Sequence, residues 1–142
     1  MASSARALYT PAMLAAAAGL ANWPWDEALP LRGEARSRSC GSTIGLALRT
    51  DADGRISALG LRPHACAVGQ AAASVFAEAA IGRDAAAIAA ARDALAAWLA
   101  GDGAMPDWPG IDLIAVARDY PARHGAIMLA WEAALSALEQ GA

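Results

Sequence analysis

Three short stretches carry the side chains best suited to chemistry: Cys40-Gly41-Ser42, His64-Ala65-Cys66 and His124-Gly125-Ala126. Thiolates are soft ligands and imidazole suits zinc and iron, so these residue types point to metal binding before any other chemistry. Cys40 and Cys66, the only two cysteines, are 26 residues apart. No C-x-x-C pair is present, and two ligands do not fill a metal site. Three readings of the pair are open on spacing alone: a thiolate pair that holds a soft metal or iron, two inert cysteines, and a reversible disulfide. His64 and His124 each stand two residues before Cys66 and Ala126. A Cys40/Cys66/His64/His124 set is chemically reasonable, and the bland alternative is a pair of loop histidines that bind nothing. A Cys₄ site shared between two copies is a further route for which the sequence offers no support.

Other site chemistries lack their parts. Ser37, Ser39 and Ser42 cluster near Cys40, but there is no G-x-S-x-G and no base with its orienting partner. Glu78 and Glu132 are isolated on helical stretches, which leaves no carboxylate pair. No phosphate-cradling glycine loop is present, and nothing points to an enzyme. All eleven basic residues are Arg, 14 acidic residues make the net charge −3, and no basic block exists, which argues against a nucleic-acid partner. Of 81 apolar residues 42 are alanine, a good helix former that buries little area per residue. No apolar run reaches the roughly 18–20 residues of a membrane span. The length suits one domain over residues 1–142. The start, with Arg6 and an alanine run, has some look of a secretory signal, but a helix with Thr10 as cap and Pro11 in its first turn accounts for it better. The expected compartment is the cytoplasm, where two cysteines serve as thiols or ligands rather than as a structural bridge.

The elements that must position these residues are legible from period and punctuation. The first helix ends near Gly19 and Asn22. Leu31 to Ser37 alternates weakly, and Thr43 to Thr50 clearly, with Ile44, Leu46 and Leu48 on one face. Asp51-Ala52-Asp53-Gly54 is turn chemistry, and Arg55 to Arg62 returns with Ser57, Leu59 and Leu61 on one face and Ile56 and Ala58 opposite. The period then changes after Pro63. Helices are expected from Cys66 to Ile81, stopped at Gly82, and from an Asp84 cap through Ile88, Leu95, Trp98 and Leu99 to Gly101. Gly101 to Gly110 is a loop, Ile111 to Ala117 a short helical piece, and Pro121 opens a last helix that buries Ile127, Trp131, Leu135 and Leu138. Trp98 and Trp131 read as core, whereas Trp23, Trp25 and Trp108 lie in proline-containing loops, as anchors or as a docking surface. The fold class is α+β: an N-terminal helix, a small three-stranded antiparallel sheet and a C-terminal helical half.

That topology bears on the cysteines. One strand runs away from Cys40 and the next returns to Cys66, so antiparallel connectivity carries both to the same end of the sheet. A helix N-terminus beside a thiol lowers its pKa, and Arg38 and Arg62 are expected to add to the effect.

The order of these pieces resembles a known family. Cys40-Gly41-Ser42, a hairpin, the run from Cys66 through Gly69, Ala72 and Ser74, and then Ile81-Gly82-Arg83 are similar to the NifU/IscU/SufU iron–sulfur cluster scaffolds. There a C-G-D turn precedes the hairpin and a second cysteine opens a small-residue helix. The Leu8-Tyr9 opening fits as well. The tail from Val116 to Arg123 with Leu129-Ala130-Trp131, and the long Gly101–Gly110 loop, resemble the SufU branch. The resemblance runs from Leu8 to Leu138. It implies a SufU/IscU-like fold, a [2Fe–2S] cluster, iron or zinc held through Cys40 and Cys66, and a cysteine desulfurase or other assembly protein as partner. It also exposes departures: the family's Asp falls at Ser42, its third Cys at Ala126, and the preceding Lys or His at Gly125. A methyl group at Ala126 neither ligates metal nor carries a persulfide. A pseudo-scaffold that keeps the fold and binds assembly proteins without metal is therefore the alternative expectation.

Overall fold

The computed structural model describes residues 8–141; Arg6 and the rest of the signal-like start before Leu8 lie outside them. Helix α1 spans Pro11–Ala18, and the Thr10 hydroxyl accepts the Met13 N–H at 3.1 Å, the cap its sequence position predicts. A 3₁₀ turn over Gly19–Asn22 ends it. Strands β1 (Leu31–Arg36), β2 (Thr43–Thr50) and β3 (Ile56–His64) form an antiparallel sheet in the order β1-β2-β3. Helices α2 (Ala67–Ala80) and α3 (Ala85–Leu99) follow, then 3₁₀ segments at Ile111–Asp119 and Pro121–Arg123, and finally α4 (His124–Glu139). The expected α+β architecture is the observed one. Among the described residues no helix is long and apolar enough to cross a membrane.

The hairpin turns where its chemistry dictates. Asp51 Oδ1 accepts the N–H groups of Asp53 and Arg55 at 2.9 and 3.0 Å, and Gly54 takes φ +76°. Ile44, Leu46 and Leu48 face inward, and all three are buried. Gly33 of the edge strand lets α4 lie against β1, because a side chain there would run into the backbone of Ala133 and Ala137. Asp84 caps α3 by accepting the Ala87 N–H at 2.9 Å.

Three details depart from expectation. Strand β3 continues through Pro63, opposite Ile44, to His64, opposite Thr43. An edge strand tolerates proline because its outward side needs no N–H. Ile56 is buried although its alternation places it outward, and Ser57 is exposed. A register shift at Arg49/Thr50 breaks the alternation there, and the Ile56 backbone bonds to Gly82 and Arg83 in the α2–α3 turn. Pro121 opens a 3₁₀ turn, with the α-helix beginning at His124.

Trp108 is a core residue rather than a loop surface. It stacks on Phe76 at 5.5 Å, meets Trp131 edge-on at 5.3 Å, and donates its indole N–H to Val75 O at 3.0 Å. Trp98 and Trp131 are buried as expected. Trp23 and Trp25 are partly buried in the segment that crosses the outer face of the sheet, where Trp23 O accepts the Leu61 N–H at 2.9 Å.

Candidate functional site

The two cysteines converge on one hydroxyl. Cys40 sits in the turn between β1 and β2, held by bonds from the Ser37 N–H to Ser42 O (2.8 Å) and from the Gly41 N–H to Ser37 O (3.2 Å). Gly41 takes φ +72°, a conformation open to glycine, which lets the chain reverse directly after the cysteine. Cys66 is the N-cap residue of α2. Ser42 lies between them: its Oγ is 3.2 Å from Cys40 Sγ and accepts the Cys66 backbone N–H at 3.4 Å. One free donor of the α2 N-terminus is thereby passed, through a buried hydroxyl, to the thiol on the neighbouring loop.

Cys40 has a second hydroxyl partner, Ser37 Oγ at 3.4 Å, and Ser37 in turn meets Ser39 Oγ at 3.2 Å. Ser39 donates to Ala122 O at 3.0 Å, which ties the cysteine loop to the segment before α4. The hydroxyls of Ser37 and then Ser42 donate to the thiolate and hold the Cys40 pKa below its ordinary value of 9.0, opposed by burial and aided by the Arg123 charge. Arg123 is the contributing cation, not Arg38 or Arg62. Arg38 is exposed, and Arg62 lies on the outer sheet face with its guanidinium 4.0 Å over the Trp25 ring.

The start of α4 closes the same site. A side chain at Gly125 would press on Ser37 Oγ at 2.6 Å, so the absence of a Cβ makes room for Ser37, which contacts Cys40, and for Ser39 beside it. Ala126 is fully buried, and a Cβ built at Gly69 in the first turn of α2 would touch its methyl at 3.4 Å. The position where the family resemblance expects a third cysteine thus does face the first turn of the Cys66 helix, but carries no donor.

The histidines are not drawn in. His64 is exposed and paired across the sheet with Thr43, one residue out of step with the inward Ile44–Pro63 pair. His124 Nε2 lies 2.7 Å from Arg118 O. A carbonyl can only accept, so this nitrogen donates and only Nδ1 keeps a lone pair. Among the described residues no three or more His, Cys, Asp or Glu side chains gather where they could hold a metal ion. Cys40, Cys66, His64 and His124 therefore do not form one cluster in this structure. The physical reason is the strand parity of His64 and the backbone bond of His124. One chain presents the Cys40 thiol between two hydroxyls and a second thiol, Cys66, at the head of α2, and two thiols do not complete a four-coordinate zinc or [2Fe–2S] centre.

The roles missed in the sequence are the contact of Ser37 with the thiol, the charge of Arg123 beside it and the room left by Gly125. The clustering of Ser37, Ser39 and Ser42 about Cys40 was the available signal for the first. Nothing local marks Arg123, and Gly125 stood out only as the place where the resemblance expects Lys or His.

Neither a family model nor a curated protein matches the chain. Solved structures do. A nitrogen-fixing NifU-like protein (N-terminal) from Brucella abortus is 29% identical with a TM-score of 0.81, over 96% of this chain and 96% of that one. A putative iron–sulfur cluster assembly scaffold protein for the SUF system from Fervidobacterium islandicum AW-1 shares the fold at 22% identity and a TM-score of 0.80, over 92% and 96% of the two chains.

Proposed function

We propose, for a chain that belongs to the NifU/IscU/SufU-type family, a scaffold-like role in iron–sulfur cluster assembly, with iron, a [2Fe–2S] cluster or zinc held through Cys40 and Cys66. The metal or cluster is cargo in this reading, taken up and passed on. The observation that carries it is the Ser42 hydroxyl, which meets Cys40 Sγ at 3.2 Å and the Cys66 N–H at 3.4 Å, so that both cysteines reach one end of the sheet. The remaining coordination positions fall to donors from outside the chain. His124 would first have to release Arg118 O, and His64 to leave the outer sheet face. A cysteine desulfurase or another assembly protein is the proposed partner, the cytoplasm the proposed compartment, and the whole chain acts as one domain without enzymatic activity of its own.

Buried Ala126 and side-chain-free Gly125 favour a second reading. In it the fold is kept as a metal-free partner that binds the assembly machinery.

Anaerobic iron–sulfide reconstitution and zinc titration of the wild type, Cys40→Ala, Cys66→Ala and the double variant separate the two. Stoichiometric metal in the wild type that is lost on either cysteine substitution supports the scaffold reading. Uptake by the wild type no greater than by the double variant overturns it in favour of the second.

A further inference from the structure

The sheet has two edges, and the chain covers them unequally. On β3 the Leu61 N–H donates to Trp23 O at 2.9 Å and the Ile56 N–H to Arg83 O at 2.8 Å. On β1 the bond alternation decides which groups face out. The Ser37 N–H bonds toward β2, to Ser42 O, whereas the Arg32 N–H bonds away from the sheet, to Gln140 Oε1 at 3.1 Å. In an antiparallel ladder the N–H and C=O of every second residue point to the same side, so Glu34 and Arg36 present theirs outward with Arg32. Among the described residues the Gln140 amide is the one group bonded along that edge.

A groove of about 320 Å³ opens there, between Gly33 and Glu34 of β1 and Ser136 and Gln140 at the end of α4, with Trp25 and Arg62 on its outer side. An extended chain laid into it finds the free Glu34 and Arg36 backbone groups on one wall, the mode by which strand–helix grooves take up peptides. Because α4 already lies against β1 at Gly33, a second copy would bring its own α4 to the same place. A single extended segment brings none.

The outer-face side chains choose the chemistry. Arg32, Glu34 and Arg36 alternate along β1, all exposed, and Arg62 reaches over Gly45 beside the Trp25 ring. Among the described residues Glu34, Arg36 and Arg62 have no ion-pair partner, and Glu27 engages a single guanidinium nitrogen of Arg32, Nη2. A strand with acidic residues at positions i and i+4 and a neutral residue between them meets Arg36, Glu34 and Arg32 in turn without a like-charge pair.

We propose that the free edge of β1 takes up an extended acidic segment of a partner protein as a fourth, antiparallel strand. The proposal goes beyond the scaffold reading and rests on no role of Cys40 or Cys66.

The test uses the full chain and a blocked, fluorescein-labelled heptapeptide, Ser-Glu-Val-Thr-Val-Glu-Ser, with anisotropy as the readout. Saturable binding is expected, weakened about tenfold or more in Glu34→Pro, which removes an outward N–H that the ladder does not use, and about fivefold or more in Arg36→Glu. Methylation of the peptide amides that face β1 is expected to abolish binding, and methylation of the alternate set to be tolerated, a contrast that needs no protein variant. On adding peptide, the Glu34 and Arg36 amides are expected to slow about tenfold or more in hydrogen exchange, with the Leu61 amide unchanged. No binding, or binding indifferent to Glu34→Pro and to which amides are methylated, overturns the proposal. Equal or tighter binding of the peptide with Lys in place of Glu overturns the acidic class. A dimer in sedimentation that Glu34→Pro dissociates and the peptide displaces assigns the edge to a second copy and overturns it as well. The same binding by the Cys40→Ala/Cys66→Ala variant is expected, so failure of the scaffold reading leaves this result standing.

Discussion

The Ser42 hydroxyl and the Cys40 thiol lie 3.2 Å apart, and the same hydroxyl accepts the N–H of Cys66. A hydroxyl that accepts from a helix N-terminus has its own proton free to point at the thiol, so Ser42 couples the α2 dipole to Cys40. The family resemblance expects a carboxylate at this position. A neutral donor in its place favours the thiolate, whereas a carboxylate beside it would oppose ionisation.

Replacement of Ser42 by Ala removes that donor. In metal-free protein the Cys40 pKa is expected to move up, back toward 9.0, because its lowered value depends on hydroxyls that stabilise the anion. The pH profile of iodoacetamide alkylation in a Cys66→Ala background measures it. The midpoint shifts to higher pH and the rate at neutral pH falls, with a further shift when Ser37→Ala is added. An unmoved profile would show that the serines do not tune the thiol.

Ala126→Cys is expected to restore a sulfur donor. The methyl is buried against the first turn of α2, on the side of the site where the Cys66 helix begins. A third thiolate should tighten zinc by about tenfold or more, since thiolate zinc sites depend on ligand number. Competition against a chromophoric chelator reads it, and affinity equal to the wild type would mean that the new sulfur does not face Cys40 and Cys66.

Truncation of Trp108 tests the aromatic cluster. The ring is 4% exposed, packed between Phe76 and Trp131, with its N–H on Val75 O. Trp108→Ala should cost about 3–5 kcal/mol in urea unfolding. A loss below about 1 kcal/mol, the size of a surface substitution, would place Trp108 outside the core.

Gly33→Ala probes the approach of α4 to the edge strand. The added methyl meets the Ala133 carbonyl and Ala137 amide, neither of which can move without shifting the helix. A loss of about 3 kcal/mol is expected from such overpacking. Thermal unfolding reports it, while the neighbouring exposed change Glu34→Ala should have little effect.

Much of this molecule is decided by neighbours a few residues apart, and that part was legible. Thr10 and Asp84 cap their helices as their positions predict, the Asp51–Gly54 turn closes the hairpin, and the alternation of Ile44, Leu46 and Leu48 sets the buried face of β2. The convergence of Cys40 and Cys66 follows from the antiparallel order of those same elements. Tertiary structure alone decided the rest. Trp108 lies in a stretch of proline, glycine and aspartate, and only the distant Phe76 and Trp131 bury it. Pro63 reads as a strand breaker, yet pairs opposite Ile44 because β3 is an edge. Around Cys40, Ser37 is near in sequence, but the room it occupies is left by Gly125 and the charge beside it comes from Arg123. Local spacing determines capping, turns and faces because those depend on backbone bonds within a few residues. The microenvironment of the thiol depends on which remote backbone comes within a few ångströms of it, and only the packed chain specifies that.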